Sequence, residues 1–343
     1  MKYSSRFFLY APLALFLALA GGASIVWWRE ASALSARLDA MNGHEAMPGV
    51  TLHFKSKTVS GFPFNLDVVF EDFGIEIATA HGPSSWRAEK VALHALTYGR
   101  EEMIFEAAGR QAVTWHDLKK QQHILPFEIG NLRADAIRGE RGVSRVDIVL
   151  VGMDSPALTL GKAEIHARVA PDGRAVEIAS ALDAVQLSPR LAAGSLFGPD
   201  IRQVRLNASA APSTAFDGFR AGKTDGISAL ETWRKADGAL TVGDVELSWD
   251  GVSAKGQGSL VLDDRHAVQG LIDFKVAGIQ TLLDKASRAH VQADQFHGIG
   301  PALLARAAKA GANDAGLVGA VLAFHSGVVS VGDTNATDEE PLY

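Results

Sequence analysis

The sequence predicts a mainly β (β-rich α+β) protein: an N-terminal transmembrane helix, then a long antiparallel sheet with a few short helices. The sheet could be curved or trough-like. Two observations predict this class, namely an uncharged apolar run near the N-terminus and alternation of apolar with polar residues over most of the remaining chain. We expect residues 1–28 to form a cytoplasmic tip and membrane anchor, 29–47 a helical stalk and linker, and 48–343 an exported β-rich region.

The composition excludes several classes of protein. The 343 residues include 33 Lys and Arg against 39 Asp and Glu, a formal net charge of −6, which disfavours nucleic-acid binding. Apolar residues make up 47% and charged residues 21%, so the chain is not disordered as a whole. Cysteine is absent, which excludes disulfides, thiolate metal sites and a cysteine nucleophile. This absence fits a periplasmic or a cytosolic protein equally well.

The N-terminal run predicts where the protein lies. Phe7–Trp28 contains no charged residue, and its 22 residues would span roughly 33 Å as a helix, close to a hydrocarbon core of about 30 Å. Lys2 and Arg6 precede the run, so the N-terminus should be cytoplasmic and the bulk of the chain periplasmic. We therefore expect a single-pass protein of the bacterial inner membrane. A cleaved signal peptide is the alternative, because Ala18-Leu-Ala20 followed by Gly21 fits a cleavage site.

An apolar stripe continues beyond this run at helical spacing. Its members are Trp28, Ala31, Leu34, Leu38 and Met41. The stripe predicts a stalk that extends the membrane helix to about Met41, where Asn42-Gly43 would end it. It could pack on the following domain, or form a seam with a partner helix or a second copy.

The region from Pro48 onward is typical of β-strands. Between Phe64 and Phe70 apolar residues alternate with polar ones, and the apolar parity changes after Glu71-Asp72, as a hairpin or bulge would produce. Ala170-Pro-Asp-Gly173 and Asp263-Asp-Arg265 have the composition of turns between strands. Four residues on alternating strands are candidates for the lining of an apolar face: Leu66, Val68, Ile148 and Leu150.

A few other segments depart from this pattern. Asp225–Ala236 should be a helix capped by Asp225, and the Gly-rich stretch Pro212–Gly226 before it could subdivide the β-rich region or be an insertion loop. Further short helices are predicted over Pro189–Phe197, Ile279–Ala289 and Pro301–Ala312. At the C-terminus we expect strand over Leu317–Val331 and a loose polar tail over Thr334–Glu340.

No recognisable catalytic motif is present. His44-Glu-Ala-Met-Pro48 lacks the second histidine of a zinc protease helix, and there is no Gly-x-Ser-x-Gly sequence. His116, Asp117 and His123 could hold a metal ion, but their spacing in a polar loop is more typical of solvated side chains. We therefore expect no catalytic residue, no cofactor and no metal site, and a protein that is not an enzyme.

Ser60-Gly-Phe-Pro-Phe64 is the most distinctive short motif. Proline restricts the preceding residue to an extended conformation, so Pro63 should hold Phe62 extended at the start of a strand. We expect a structural corner that places Phe62 and Phe64 in the core. A lip that grips a ligand is the alternative.

Val59-Ser-Gly-Phe-Pro-Phe-Asn-Leu-Asp67 resembles the signature of a bacterial envelope family known as domain of unknown function 2125. Phe324–Gly332 and Pro341–Tyr343 are similar to the family's C-terminus. The resemblance implies one membrane segment, a structural motif formed by Gly61, Phe62, Pro63 and Phe64, and a β-rich exported region. It implies no chemistry. Where the signature usually has a basic residue after Phe64, this sequence has Asn65.

The stretch Leu247–Leu283 is also similar, more loosely, to the C-terminal repeats of AsmA-type envelope proteins. That resemblance implies an anchored, elongated sheet whose concave apolar face could shelter lipid acyl chains. We therefore expect a membrane-anchored periplasmic protein that binds or passes lipid or supports envelope assembly. Its partners would be membrane lipid and envelope proteins, with no nucleic acid. A structural module without a ligand groove and an anchored envelope hydrolase are the alternatives.

Overall fold

The structure is a computed structural model of the chain. It describes residues 5–79, 81–96, 101–117, 119–192, 197–279, 317–325, 327–331 and 334–338. The helices predicted over Ile279–Ala289 and Pro301–Ala312 lie outside these residues, apart from Ile279 itself.

One long helix, α1 (Ser5–Met41), joins the apolar run to the stalk without a break. Among the described residues it is the one helix long and apolar enough to cross a membrane. It ends where predicted, because Gly43 turns the chain with φ +74°. The Asn42 amide then ties this end to the sheet: its Nδ2 donates to the Phe54 carbonyl at 3.0 Å, and the Phe54 amide donates to its Oδ1 at 2.9 Å.

The rest of the described chain is dominated by one open antiparallel sheet of 17 strands, which confirms the predicted fold class. The strands are β1 (Glu45–Met47), β2 (Val50–His53), β3 (Ser56–Ser60), β4 (Asn65–Ile77), β5 (Ser84–Leu96), β6 (Glu102–His116), β7 (Gln122–Gly139), β8 (Gly142–Asp154), β9 (Leu158–Val169), β10 (Val176–Leu187), β11 (Asp200–Ala211), β12 (Ala239–Trp249), β13 (Val252–Leu262), β14 (Val268–Ala277), β15 (Val318–His325), β16 (Val328–Val331) and β17 (Thr334–Asp338). Each strand from β4 to β17 pairs with its neighbour in sequence, while β2 and β3 both pair with β4.

The parity change after Glu71 is neither a hairpin nor a bulge but one irregular residue within a single strand. Glu71 pairs with Lys90 and Phe73 pairs with Ala88, so the register of β4 with β5 is unchanged, and Asp72 between them has φ +49°. Residues three apart in a regular strand point to opposite faces, yet Phe70 and Phe73 are both buried. The predicted turns at Ala170–Gly173 and Asp263–Arg265 do connect successive strands, β9 to β10 and β13 to β14.

Short helices interrupt the meander between β10 and β12. They are α2 (Pro189–Ala192), a 3₁₀ turn (Ser213–Phe216), α3 (Asp217–Arg220) and α4 (Gly226–Lys235). Asp225 caps α4 as predicted, accepting a hydrogen bond from the Ser228 amide at 2.6 Å. Because β11 and β12 pair with each other directly, the turn, α3 and α4 form an excursion from a continuous sheet.

The C-terminal tail differs in part from the expectation. Strands β15 and β16 confirm the predicted Leu317–Val331 segment, but Thr334–Glu340 is not simply loose: Thr334–Asp338 pairs with β16 as β17. Pairing at a sheet edge uses backbone groups, so a polar sequence does not prevent it.

The main core lies where the stalk packs on the first strands. Leu38 of α1 is buried together with Val68 and Phe70, and Leu34 packs against the same cluster. The ring centroids of Phe54 and Phe70 are 5.1 Å apart. The apolar stripe of the stalk therefore packs on the following domain, although its first member, Trp28, is 67% exposed.

Candidate functional site

The four predicted lining residues lie on one face of the sheet. Directly opposed residues in an antiparallel pair project to the same side, so each row of cross-strand partners traces one face. The row that starts at Val68 on β4 reaches Ile148 on β8. Its members in order are Val68, Leu93, Phe105, Ala134, Ile148, Ile165, Ser180, Leu206, Val245, Gly256, Phe274 and Ala320.

Two neighbouring rows extend the same face on either side. One contains Phe70, Val91, Ala107, Leu132, Leu150, Ala163, Leu182, Val204, Leu247, Ala254, Val276 and Val318. The other contains Leu66, Ala95, Met103, Ala136, Val146, Ala167, Ile178, Ala208, Val242, Gly258, Ile272 and Leu322. Across all three rows Ser180 is the one polar residue. At about 4.8 Å per strand, this apolar face runs for roughly 50 Å from β4 to β15.

The opposite face is polar and carries cross-strand ion pairs. His94 on β5 lies 2.7 Å from the Asp67 carboxylate on β4, and Arg133 on β7 lies 3.3 Å from Glu106 on β6. Farther along, the Lys255 ammonium donates a hydrogen bond to the Glu246 carboxylate and so lowers the pKa of Glu246. The two faces therefore differ in character where these pairs lie.

The apolar face is covered at its two ends and more open in the middle. Near β4 and β5 the predicted lining residues Leu66 and Val68 are both buried, and Val68 belongs to the core beneath the stalk. Ile148 and Leu150 on β8 are half-buried. On the next two strands Ile165 is 44% exposed and Leu182 is 37% exposed.

A groove of about 480 Å³ opens onto this face near β7 to β11, and the sequence did not predict it. The sheet side is lined by residues such as Val146, Ala167 and Ile178, and the other side by Phe216 and Phe219 of the helical excursion. Four arginines also line the groove: Arg138, Arg145, Arg168 and Arg220. The aromatic pair in Phe216-Asp-Gly-Phe219 was the available signal, but the sequence could not show which strands those rings would meet.

Curvature of the sheet brings distant elements to this groove. Met47 of β1 lines it, although β1 pairs with β2, which in turn pairs with β4. A Cβ on Gly49, just after β1, would lie 3.4 Å from the Cβ of Asp225 at the start of α4. Arg220 fixes the opposite wall, since its Nε donates to the Val143 carbonyl at 2.7 Å. The structure thus supports the predicted curved sheet.

The Gly61–Phe64 motif forms a tight turn before β4, but its aromatic rings are not in the core. Phe62 is 57% exposed and Phe64 is 61% exposed, so the expectation of buried aromatics was wrong. The turn lies beyond the end of β4, where none of the described strands covers it. Instead the Phe62 ring meets the Trp27 ring of α1 edge to face, with centroids 5.6 Å apart.

The histidines of the β6–β7 loop do not converge on one point. His123 Nε2 lies 2.9 Å from the Asp117 carboxylate, whereas His116 Nδ1 lies 2.9 Å from the Pro83 carbonyl. The hydrogen bond with His123, followed by those from backbone amides, lowers the pKa of Asp117. Within the described ranges, no three histidine or carboxylate side chains are grouped to hold a metal ion.

Comparison with known proteins identifies the family. The sequence model of a family described as an uncharacterized protein conserved in bacteria, DUF2125, matches residues 27–335, and the chain belongs to this family. No curated protein and no solved structure matches the chain. The looser similarity to AsmA-type proteins therefore rests on the sequence of Leu247–Leu283 alone.

Proposed function

We propose that this DUF2125 protein is a non-enzymatic, single-pass protein of the bacterial inner membrane that binds lipid in the periplasm. In this proposal α1 anchors the chain, the sheet lies in the periplasm, and the apolar face holds acyl chains. The protein would pass lipid along the sheet or support envelope assembly. The observation that carries the proposal is the apolar face that continues across twelve strands and opens on β9 and β10.

The energetics favour an apolar ligand on the open part of this face. Ile165 and Leu182 keep 44% and 37% of their surfaces accessible to water, although their rows are apolar apart from Ser180. Covering apolar surface is favourable by about 25 cal/mol per Å², or about 0.8 kcal/mol for each buried methylene of a ligand. An acyl chain laid across several strands would gain this energy repeatedly without any specific polar contact.

The groove offers a place for the polar end of such a ligand. Its volume of about 480 Å³ lies within the usual range of ligand sites, and its walls are mostly apolar. Arg138 at its margin is exposed, and a guanidinium suits phosphate or carboxylate oxygens. Arg145 and Arg168 pair with Asp147 and Glu177 on the polar face, so their charge points away from the apolar face. We therefore propose an amphiphile with an anionic headgroup.

Lipid binding can be tested by mass spectrometry of the full chain, extracted from its membrane in mild detergent. We expect phospholipid to co-purify with the wild type and to fall at least fivefold in the double variant Ile165→Asp, Leu182→Asp, because both carboxylates would lie on the apolar face. Leu271→Asp is the matched control, since Leu271 is 53% exposed and pairs with Ser259 on the polar face. Equal lipid content in all three proteins would contradict the proposal.

The membrane placement needs its own test. A reporter fused after Tyr343 should be active only when its enzyme domain is exported, as alkaline phosphatase is. The matched fusion to a reporter that works only in the cytoplasm should be inactive. The reverse result would overturn the periplasmic placement.

A further inference from the structure

We infer that the turn Gly61–Phe64 is a second membrane contact, in which the rings of Phe62 and Phe64 insert into the headgroup region of the bilayer that α1 spans. The inference rests on the proposed membrane anchor and is independent of lipid binding on the apolar face. It assigns a partner, the lipid surface, to the turn.

The first step is the level of the turn along α1. Trp27 is the next-to-last residue of the uncharged run Phe7–Trp28, so it lies where the membrane span ends. Its indole Nε1 donates to the Asn65 carbonyl at 2.8 Å, and its ring meets that of Phe62 at 5.6 Å. These two contacts place the turn beside the end of the span.

The second step is the chemistry of the exposed surface at this level. Phe62, Phe64 and Trp28 are 57%, 61% and 67% exposed, three large aromatic side chains close to the end of the span. The chain from Thr58 to Leu66 carries no charge. Aromatic residues at a membrane end are typical of the interface, whereas a cluster of exposed rings facing water is unfavourable.

The third step is the shape of the turn, which presents the rings outward. Gly61 adopts φ +98°, and the Asn65 amide donates to the Gly61 carbonyl at 2.8 Å. This hydrogen bond closes the turn just before β4 begins at Asn65. The turn therefore lies just beyond the strand end, and both of its rings are largely exposed there.

A second contact would also restrict how the whole domain tilts. A helix that crosses the membrane leaves the attached domain free to tilt, whereas two contacts hold it at one angle. β4 would then have its Asn65 end at the lipid surface and its Ile77 end about 40 Å away, at about 3.3 Å per residue. The turn would thus set the orientation of the sheet relative to the bilayer.

The absence of cysteine makes a direct test possible. Full-length single-cysteine variants Phe64→Cys, Ile77→Cys and Phe16→Cys would each carry an NBD fluorophore, in vesicles of phosphatidylethanolamine and phosphatidylglycerol. Ile77, which is 47% exposed, is the matched control on the same strand. Phe16, which is 66% exposed, reports on the membrane span itself. A nitroxide on the lipid acyl chain near the glycerol quenches labels within the bilayer, and iodide quenches labels in water.

We expect the label at position 64 to be quenched by the lipid nitroxide at least half as strongly as the label at position 16. Its iodide quenching should be several-fold weaker than at position 77. Phe62→Cys repeats the measurement, so that one badly placed label does not decide the result.

Three outcomes would overturn the inference, and they are distinguishable. If positions 64 and 62 respond like position 77 while position 16 responds to lipid, the anchor stands and the turn does not touch the bilayer. If the turn is protected from iodide without lipid quenching, and the protection rises with protein density, a second copy covers it. If position 16 does not respond to lipid, the proposed anchor fails and the inference fails with it.

Discussion

Replacing Gly61 with alanine should destabilise the protein through two separate penalties. Gly61 has φ +98°, where a Cβ costs about 1–2 kcal/mol. A Cβ there would also lie 2.7 Å from the Asn65 carbonyl oxygen and 2.9 Å from its carbon. Because that backbone closes the turn, it can move little, and such overpacking costs a further 1–3 kcal/mol or so. We therefore expect G61A to lower the free energy of unfolding by about 2–5 kcal/mol.

Gly109→Ala is the matched control, since it shares the first penalty and lacks the second. Gly109 has φ +77°, but an added Cβ would meet no atom within 4 Å, so the expected loss is only about 1–2 kcal/mol. Thermal unfolding of the full chain in detergent, followed by tryptophan fluorescence, would compare the two. The G61A transition should come roughly 2–10 °C below that of G109A. Equal transitions would refute the claim that the turn backbone is fixed.

Two further predictions concern the stalk and a helix cap. Leu38→Ala should lower the free energy of unfolding by about 2–4 kcal/mol, because Leu38 is buried against the sheet. The same change at Leu191, which is 50% exposed on α2, is the control and should alter the free energy of unfolding by less than about 0.5 kcal/mol. Urea titration measures both variants, and equal losses would contradict the packing of the stalk. The Ser228 amide lowers the pKa of Asp225 below 3.8, so the stability from this cap should be present above about pH 3.8 and lost as the pH falls through the lowered pKa. Asp225→Asn should keep most of the cap's stability and remove this acid dependence, while Asp225→Ala should lower the free energy of unfolding by about 1 kcal/mol at neutral pH. The urea midpoints of the wild type and both variants, measured between about pH 5 and 2.5, would show both effects. If stability falls with acid in Asp225→Asn just as in the wild type, Asp225 is not the source of this acid dependence.

The features that the sequence predicted correctly depend on short-range chemistry. Alternation of apolar and polar residues depends on the two-residue period of a strand, and it predicted the strands correctly. Turn composition at Ala170–Gly173 and capping by Asp225 are decided within four or five residues. The apolar spacing of the stalk likewise predicted which side of the helix is buried, from Ala31 to Leu38.

The features that the sequence did not predict depend on contacts between distant segments. Pro63 does shape a rigid turn, but whether Phe62 lies in the core depends on what surrounds the end of β4, and its neighbour is Trp27 of the helix. The groove requires Phe219 to meet strands far away in sequence, which depends on the curvature of the whole sheet. Local pattern alone carries no information about such curvature.

The continuous apolar face on β8 to β10, interrupted by Ser180 alone in its three central rows, argues that the open part of this face has an occupant. Beneath the stalk, the apolar residues are needed for the core. On β9 and β10 the described residues do not bury Ile165 and Leu182, yet the residues next to them in sequence, such as Glu164 and His166, lie on the polar face. Solvent on both sides would remove the advantage of this alternation, since apolar side chains gain nothing by facing water. The pattern is instead the one expected if this stretch is covered while the protein works, as it would be by the lipid proposed above.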